Sequence, residues 1–219
     1  LPICANHGQM IKARSGALCS RASASECGVC FPEIGPANLL RRELFLKSFL
    51  AEVDAFVSPS RFLLGRFADW GLPREKLYIQ TKMPWDRAPF TENPTAALDK
   101  FRQELGVDYI DSVLIHCALK HTWPTDLRFM QDAFSEAQGK GAIKIKGVSC
   151  HGLPALTAAT TNDWVEVHLA RVNAQAHHMD GADGTFGEPG NRDAAMKELT
   201  AMHARGHGGP LGRIEALEE

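Results

Sequence analysis

Residues 70–82 read WGLPREKLYIQTK, and the reading of this stretch decides the fold. Gly71 and Pro73 stop a helix read over 61–70, RFLLGRFADW, for which Ser60 is the expected N-cap. KLYIQTK then has the apolar run of a strand and ends on two polar residues, Thr81 and Lys82. Ahead of the helix, VDAFVSPS (53–60) is a short apolar run closed by Ser-Pro-Ser, a second strand. Strand, helix and strand in this order make one β-α-β unit, the building block of a parallel sheet.

The same rhythm continues towards the C-terminus. Asn93-Pro94 predicts a helix start, with a capping Asn and Pro at the first helical position, and Leu98, Phe101 and Leu105 share one face before Gly106. YIDSVLIH (109–116) reads as a strand, TDLRFMQDAFSEAQGKG (125–141) as a helix ending in Gly, and AIKIKGVSC (142–150) as a strand. LPALTAAT (153–160) is a short helix, WVEVHLARVN (164–173) a strand, and residues 191–208 a helix capped by Asn191. Near-continuous apolar strands alternating with helices predict a parallel sheet covered by helices. AHHMDGADGTFGEPG (176–190) is polar and Gly-rich and is expected on the surface. In the other direction, NLLRRELFLKSFL (38–50) has helical spacing behind Asn38, read as its N-cap. Residues 1–36, rich in Cys, Ser, Gly and Pro, read as loops.

Composition narrows the function classes. The chain has 219 residues, 44% hydrophobic and 23% charged, which suits one large globular domain or two small ones. A formal net charge of -2 without a local Lys/Arg cluster gives no electrostatic footprint for nucleic acid. No apolar run approaches the ~20 residues of a membrane helix, and the start LPICANHGQM lacks the pattern of a signal peptide. Cys117 and Cys150 lie in strand-like runs as expected of reduced thiols, which points to the cytoplasm.

Chemistry-bearing side chains gather at the C-terminal ends of the strands. Thr81 and Lys82 end one, His116 the next, Ser149 the next and Asn173 the last. In parallel α/β sheets this edge is where ligands bind, and in a (β/α) barrel all such ends face one mouth.

Five motifs carry a family likeness: YIQTK (78–82), LGVDYIDSVLIH (105–116), GAIKIKGVSCHGLPAL (141–156), WVEVHLARVN (164–173) and AMKELTAMHARGHG (195–208). In order and spacing they resemble the aldo/keto reductases over about residues 76–208. The resemblance implies a (β/α)8 barrel of the TIM type and hydride transfer between NADP(H) and a carbonyl or alcohol. It implies that Lys82 is the lysine that tunes a tyrosine, that His116 orients a small carbonyl substrate, and that Ser149 helps hold the nicotinamide amide. Cys150 stands where the family has Asn, and Ala174 follows Asn173 where Gln is common; Ser149, Cys150 and Asn173 form the expected cofactor-binding set. The family's aspartate and tyrosine have no counterpart. The chain's two tyrosines, Tyr78 and Tyr109, begin other strands. Strands like the third to sixth of the barrel are present, and GPLGRIEALEE (209–219) matches nothing in the family. The expected fold is therefore α/β, a partial (β/α)8 barrel of about four to five parallel strands. Its exposed strand edges are expected to drive self-association, and residual activity would have to run through His116.

CANHGQM (4–10), ECGVCFPEIGP (26–36), RRELFLKSFLAEVDAFVSPSRFL (41–63) and DWGLPREK (69–76) instead resemble part of the N-terminal domain of family-4-type glycosyltransferases. The expected organisation is a glycosyltransferase-like segment over 1–76, a reductase-like partial barrel over 77–208 and a tail over 209–219. Such a fusion would be a catalytically incomplete oxidoreductase fragment; the alternatives are a glycosyltransferase fragment or a non-catalytic, metal-stabilised product. Cys4, Cys19, Cys27 and Cys30 are spaced C-x14-C-x7-C-x2-C. That pattern is compatible with a Zn2+ site, with an iron–sulfur cluster, or with four ordinary thiols. Of the histidines, His121, His151, the pair His177-His178, and His203 with His207 are expected to be surface or capping residues.

Overall fold

The computed structural model describes residues 3–171, together with 196–197, 200–201 and 215–217. The chain forms two compact units that divide between Ile79 and Gln80.

The first unit contains α1 (Ala24–Cys30), α2 (Pro36–Leu50), β1 (Phe56–Ser58), α3 (Arg61–Asp69) and a 3-10 turn at Arg74–Lys76. It also holds the first residues of β2, whose full range is Leu77–Met83; Phe56, Val57 and Ser58 pair in parallel with Leu77, Tyr78 and Ile79. Ser60 caps α3 as the sequence predicts, accepting from the Leu63 N–H at 3.2 Å. Two expectations differ. Helix α2 begins at Pro36 behind Gly35 (φ 78°), and Asn38 instead donates from Nδ2 to Ile34 O at 2.8 Å. Proline at the first helical position has φ preset for the helix and lacks only an N–H that would have no partner within it, so the start moves ahead of Asn38. The Cys-rich segment also holds a helical turn, α1, capped by Ser23. The core of this unit joins Ile3, Met10, Phe67, Trp70, Leu72 and Leu77 with the thiols of Cys4 and Cys19.

The second unit begins with the remainder of β2 and continues through α4 (Pro94–Leu105), β3 (Ile110–Ala118), α5 (Trp123–Asp126) and α6 (Arg128–Gly139). Then follow β4 (Ile143–Cys150), α7 (Leu153–Thr160), β5 (Val167–Arg171) and β6 (Glu215–Leu217). Asn93 caps α4 from Oδ1 at 2.9 Å, and Gly106, at φ 63°, closes it. The single helix expected over 125–141 is two, α5 and α6, turning at Leu127. All strand pairings are parallel and sequential, β2 with β3, β3 with β4, β4 with β5 and β5 with β6. Successive parallel strands joined by helices make an α/β fold of partial (β/α)8 type.

The register sorts the side chains into two faces. Lys82 pairs with Leu114, Leu114 with Gly147, and Gly147 with Val167. Because strand side chains alternate, Gln80 and Lys82, Ser112 and Leu114, Ile145, Gly147 and Ser149, and Val167 and Leu169 share one face. A bond from Gln80 Nε2 to Ser112 Oγ of 3.3 Å crosses that face, and Leu114, Val167, Leu169 and Ile145 pack together on it. Val113, Ile115 and Val148, all 0% exposed, lie on the other face. Helix α6 buries Met130, Ala133, Phe134 and Ala137. Trp164 ties that helix to the start of β5, donating from Nε1 to Ser135 Oγ at 2.9 Å and packing against Phe134 and Trp123.

Gly147 is fixed by space. A Cβ there would stand 2.0 Å from Val167 O and 2.7 Å from Val167 Cγ1. Gly147→Ala is therefore expected to cost at least about 2 kcal/mol, read as a lower urea midpoint of the full chain. An unchanged midpoint would show that β4 and β5 do not approach this closely.

Candidate functional site

The C-terminal edge of the second unit brings together residues from three adjacent strands. Lys82 sits one residue from the end of β2, on the face shared with Leu114. His116 lies two residues beyond Leu114 on β3, and Ser149 two residues beyond Gly147 on β4, so both follow Lys82 on that face. Their side chains differ in access: Ser149 is 1% exposed, whereas Lys82 and His116 are half-buried.

The chain is irregular at His116. The β3–β4 register shifts between Ile115 and Ala118, inserting one extra residue, and Cys117 adopts φ 62°. A non-glycine residue in this region stores about 1–3 kcal/mol, and bulges re-aim the side chains beside them. Trp85 supports the distortion, donating from Nε1 to Cys117 O at 3.3 Å. Beyond it, the His151 N–H bonds to Ala118 O at 2.8 Å and closes the ends of β3 and β4.

His116 senses the charges of the mouth. Burial first, then the Lys82 ammonium and the Arg87 guanidinium, hold its imidazole below the usual histidine value, while the Asp86 carboxylate pulls the other way. Asp86 and Arg87 contact each other at 3.3 Å in the loop after β2. Neither stood out in the sequence, where the motif was read only to Lys82. Their position in the first loop beyond a strand's C-terminal end is the signal that could have found them. Beside the end of β3 a cavity of about 100 Å³ is walled by Trp85, Leu119, Trp123 and Leu127, with Lys120 and Asp126 at its rim.

Several sequence expectations change here. His151 is no surface residue: it is 8% exposed, with Nε2 3.4 Å from Ser149 Oγ and its ring 6.2 Å from that of His116. Cys150 alternates to the face opposite Ser149, pairing with Ala118, and is 1% exposed, so its thiol is not directed at the mouth with Ser149. Asn173 lies outside the described residues, as do His177, His178, His203 and His207. Tyr109 is at the far end of β3 from His116, with Lys144 Nζ 3.8 Å over its ring, and Tyr78 is near the start of β2. Neither tyrosine is at the C-terminal edge.

The expected metal centre is not assembled. Among the described residues no group of three or more His, Cys, Asp or Glu has the arrangement to hold an ion. Cys4, Cys19, Cys27 and Cys30 are free thiols; the first two are buried in the first unit's core, Cys27 packs against it, and Cys30 stands at the end of α1. Cys19 Sγ donates to Arg21 O at 3.2 Å. Burial, above all, raises Cys27 above the usual thiol value, and the neighbouring Cys4 and Cys19 act in the same sense. Cys4 and Cys19 act as small apolar residues of that core.

A parallel α/β unit with Lys, His and Ser at one strand edge defines a class of ligand-binding α/β proteins. Residues 56–180 match the family model "Aldo/keto reductase family". The chain belongs to the aldo/keto reductase family. The match begins twenty residues ahead of the expected boundary at 76, so β1, α3 and the Gly-Leu-Pro turn fall inside it and not in the glycosyltransferase-like segment. An aldo-keto reductase of Mycolicibacterium smegmatis is 36% identical over 84 residues, 37% of this chain and 29% of that protein. The aldehyde reductase YPR1 of Saccharomyces cerevisiae is 40% identical over 60 residues, 27% of this chain and 16% of that protein. The alignments thus span less than a third of these relatives' length. Among solved structures, the aldo-keto reductase MGS-M4 from a deep-sea metagenome superposes at TM-score 0.41 with 24% identity, covering 52% of this chain and 41% of that one. AKR2E5 of the silkworm Bombyx mori, complexed with NADPH, gives 0.43 and 21%, covering 68% and 43%. No described helix is long and apolar enough to cross a membrane.

The site makes a pH prediction. In the unfolded chain His116 takes a proton near its ordinary value, about 6.5, and in the folded chain only at lower pH. The group is neutral in both states above that window and contributes nothing there; as pH falls through it, the unfolded state binds the proton first and stability declines. Lys82→Met removes one repelling charge and is expected to raise the His116 midpoint, followed through its ring protons by NMR. An unmoved midpoint would place the Lys82 ammonium away from the mouth.

Proposed function

We propose that the second unit is an NADP(H)-linked carbonyl-reductase site of reduced catalytic power. The observation that carries this reading is the placement of Lys82, His116 and Ser149 on one face at the C-terminal ends of three adjacent parallel strands. Ser149 carries a hydroxyl suited to a nicotinamide amide, but it is 1% exposed, so that contact requires the mouth to open; Cys150 does not add to it. NADPH, when bound, supplies the hydride that reduces a carbonyl carbon. His116 donates a hydrogen bond to the carbonyl oxygen and gives it the proton it needs as negative charge builds there. Lys82 places a positive charge beside that oxygen. The cavity walled by Trp85, Leu119, Trp123 and Leu127 suits an apolar substituent of the substrate.

Reduced power follows from the acid. With both tyrosines away from the mouth, His116 has to supply the proton, and its imidazolium is scarce at neutral pH because burial and its cationic neighbours disfavour it. Much of the ~10²–10⁴ that a tuned acid contributes is lost. The glycosyltransferase resemblance of the first unit gains no support from its cleft between Ile3, Cys27, Leu39 and Trp70. That cleft holds about 10 Å³, room for one water and not for a nucleotide sugar.

The test is aldehyde-dependent NADPH oxidation by the full chain. A slow rate that rises as pH falls below 7 and drops at least ~10-fold in His116→Gln is expected. Robust turnover that survives His116→Gln but is abolished by Lys82→Met would show that another residue is the acid.

A further inference from the structure

Helix α2 is apolar on two sides, and the first unit covers one of them. With the periodicity of an α-helix, Leu39, Leu46 and Leu50 share the inner side; Leu39 is buried and the other two pack on the core. Leu40, Leu44, Phe45 and Phe49 lie on the outer side, Leu40 49% exposed and Phe45 63%, with the other two between them. The two phenyl rings pack edge to face, centroids 4.8 Å apart and planes at 70°, so they form one patch. Lys47 is held away from it, paired with Glu43 at 2.7 Å and lying over the Trp70 ring. Arg41 and Ser48 run along the middle of the outer side, between the leucines and the phenylalanines. A helix that is apolar all round is normally buried, and a contiguous exposed patch of this kind marks an interaction surface.

We propose that the outer side of α2 docks on the same side of a second copy of the chain. The two helices run antiparallel about a two-fold axis that passes between residues 44 and 45. The order of the outer residues selects this occupant. About that axis Leu44 comes level with Phe45 of the second copy, Leu40 with its Phe49 and Arg41 with its Ser48. Each pairing occurs twice, as an isologous interface requires. Large apolar side chains thus share their levels with large apolar side chains, and the arginine meets a hydroxyl. Ser48 Oγ donates to Phe45 O at 2.7 Å, which commits its proton and leaves its lone pairs to accept from a guanidinium. A parallel pair would instead set Arg41 against Arg41 in the middle of the contact, where like charges are costly.

The area sets the strength. At their exposures the two phenylalanines present about 200–250 Å² per copy. With the leucines, Arg41 and Ser48 included, the pair removes on the order of 1,000 Å² in total, at the lower limit of specific interfaces. The dimer is accordingly weak and reversible, with Kd on the order of tens of micromolar.

Sedimentation equilibrium of the full chain from about 1 to about 300 µM tests the contact, and a monomer–dimer equilibrium is expected. Leu44→Glu and Phe49→Glu, both at exposed positions, are each expected to raise Kd at least ~10-fold with the urea midpoint unchanged. Ser48→Lys sets like charges against Arg41 at two places and weakens the dimer at least ~5-fold; adding Arg41→Glu to it restores the dimer through two ion pairs. A chain that is monomeric throughout this range would overturn the proposal, whether or not any variant folds. Association that persists in folded Leu44→Glu and Phe49→Glu chains would overturn it as well, and would place the contact elsewhere, as at the sheet edges. A Ser48→Lys chain whose Kd stays within about twofold, or one that Arg41→Glu fails to restore, would overturn the antiparallel register.

Discussion

Everything at the mouth of the second unit depends on how closely β4 approaches β5 at Gly147. A side chain there would collide with the Val167 carbonyl, so the two strands can pair in this register only because position 147 has no Cβ. The pairing fixes the levels of Leu114, Gly147 and Val167 against one another, and β2 joins the same ladder at Lys82. A slip of one residue in any of these strands would turn its side chains to the other face. His116 or Ser149 would then leave the face that Lys82 occupies. The apolar contacts among Leu114, Ile145, Val167 and Leu169 oppose such a slip, since it would exchange them for their neighbours.

The same ladder explains why distortion is confined to the tip of β3. Below Ile115 the strand is regular and, apart from Asp111, buried; above it, one extra residue and the left-handed Cys117 interrupt the pairing. Trp85 and His151 hold the interrupted segment from two sides, one through Cys117 O and the other through Ala118 O. Strain held between regular structure on one side and hydrogen bonds on the other is typical of functional edges. It places His116 where the charges of Lys82, Asp86 and Arg87 all act on it.

Much of this was legible in the sequence because it depends on local rules. Ser60 and Asn93 announce their helices through capping chemistry, and the apolar runs ending in Lys82, His116 and Ser149 announce parallel strands and their C-terminal ends. The failures have physical reasons too. Asn38 looked like a cap, but the Gly35-Pro36 pair makes a better start. Cys4, Cys19, Cys27 and Cys30 have a spacing that metal sites use, yet spacing does not report whether thiols meet water or apolar walls, and the first three meet the latter. His151 looked like a loop residue because its contacts with Ala118 O and the His116 ring come from another strand, which no local pattern encodes. Residues 56–76 belong to the family match although their β-α-β rhythm also fits the other resemblance.

The most direct test of this account is the strand register itself, read from cross-strand nuclear Overhauser contacts between backbone protons in the labelled full chain. The expected set pairs Gln80 with Ser112, Lys82 with Leu114, Leu114 with Gly147 and Gly147 with Val167. A set displaced by one residue on any of these strands would put Lys82, His116 and Ser149 on different faces and contradict the account.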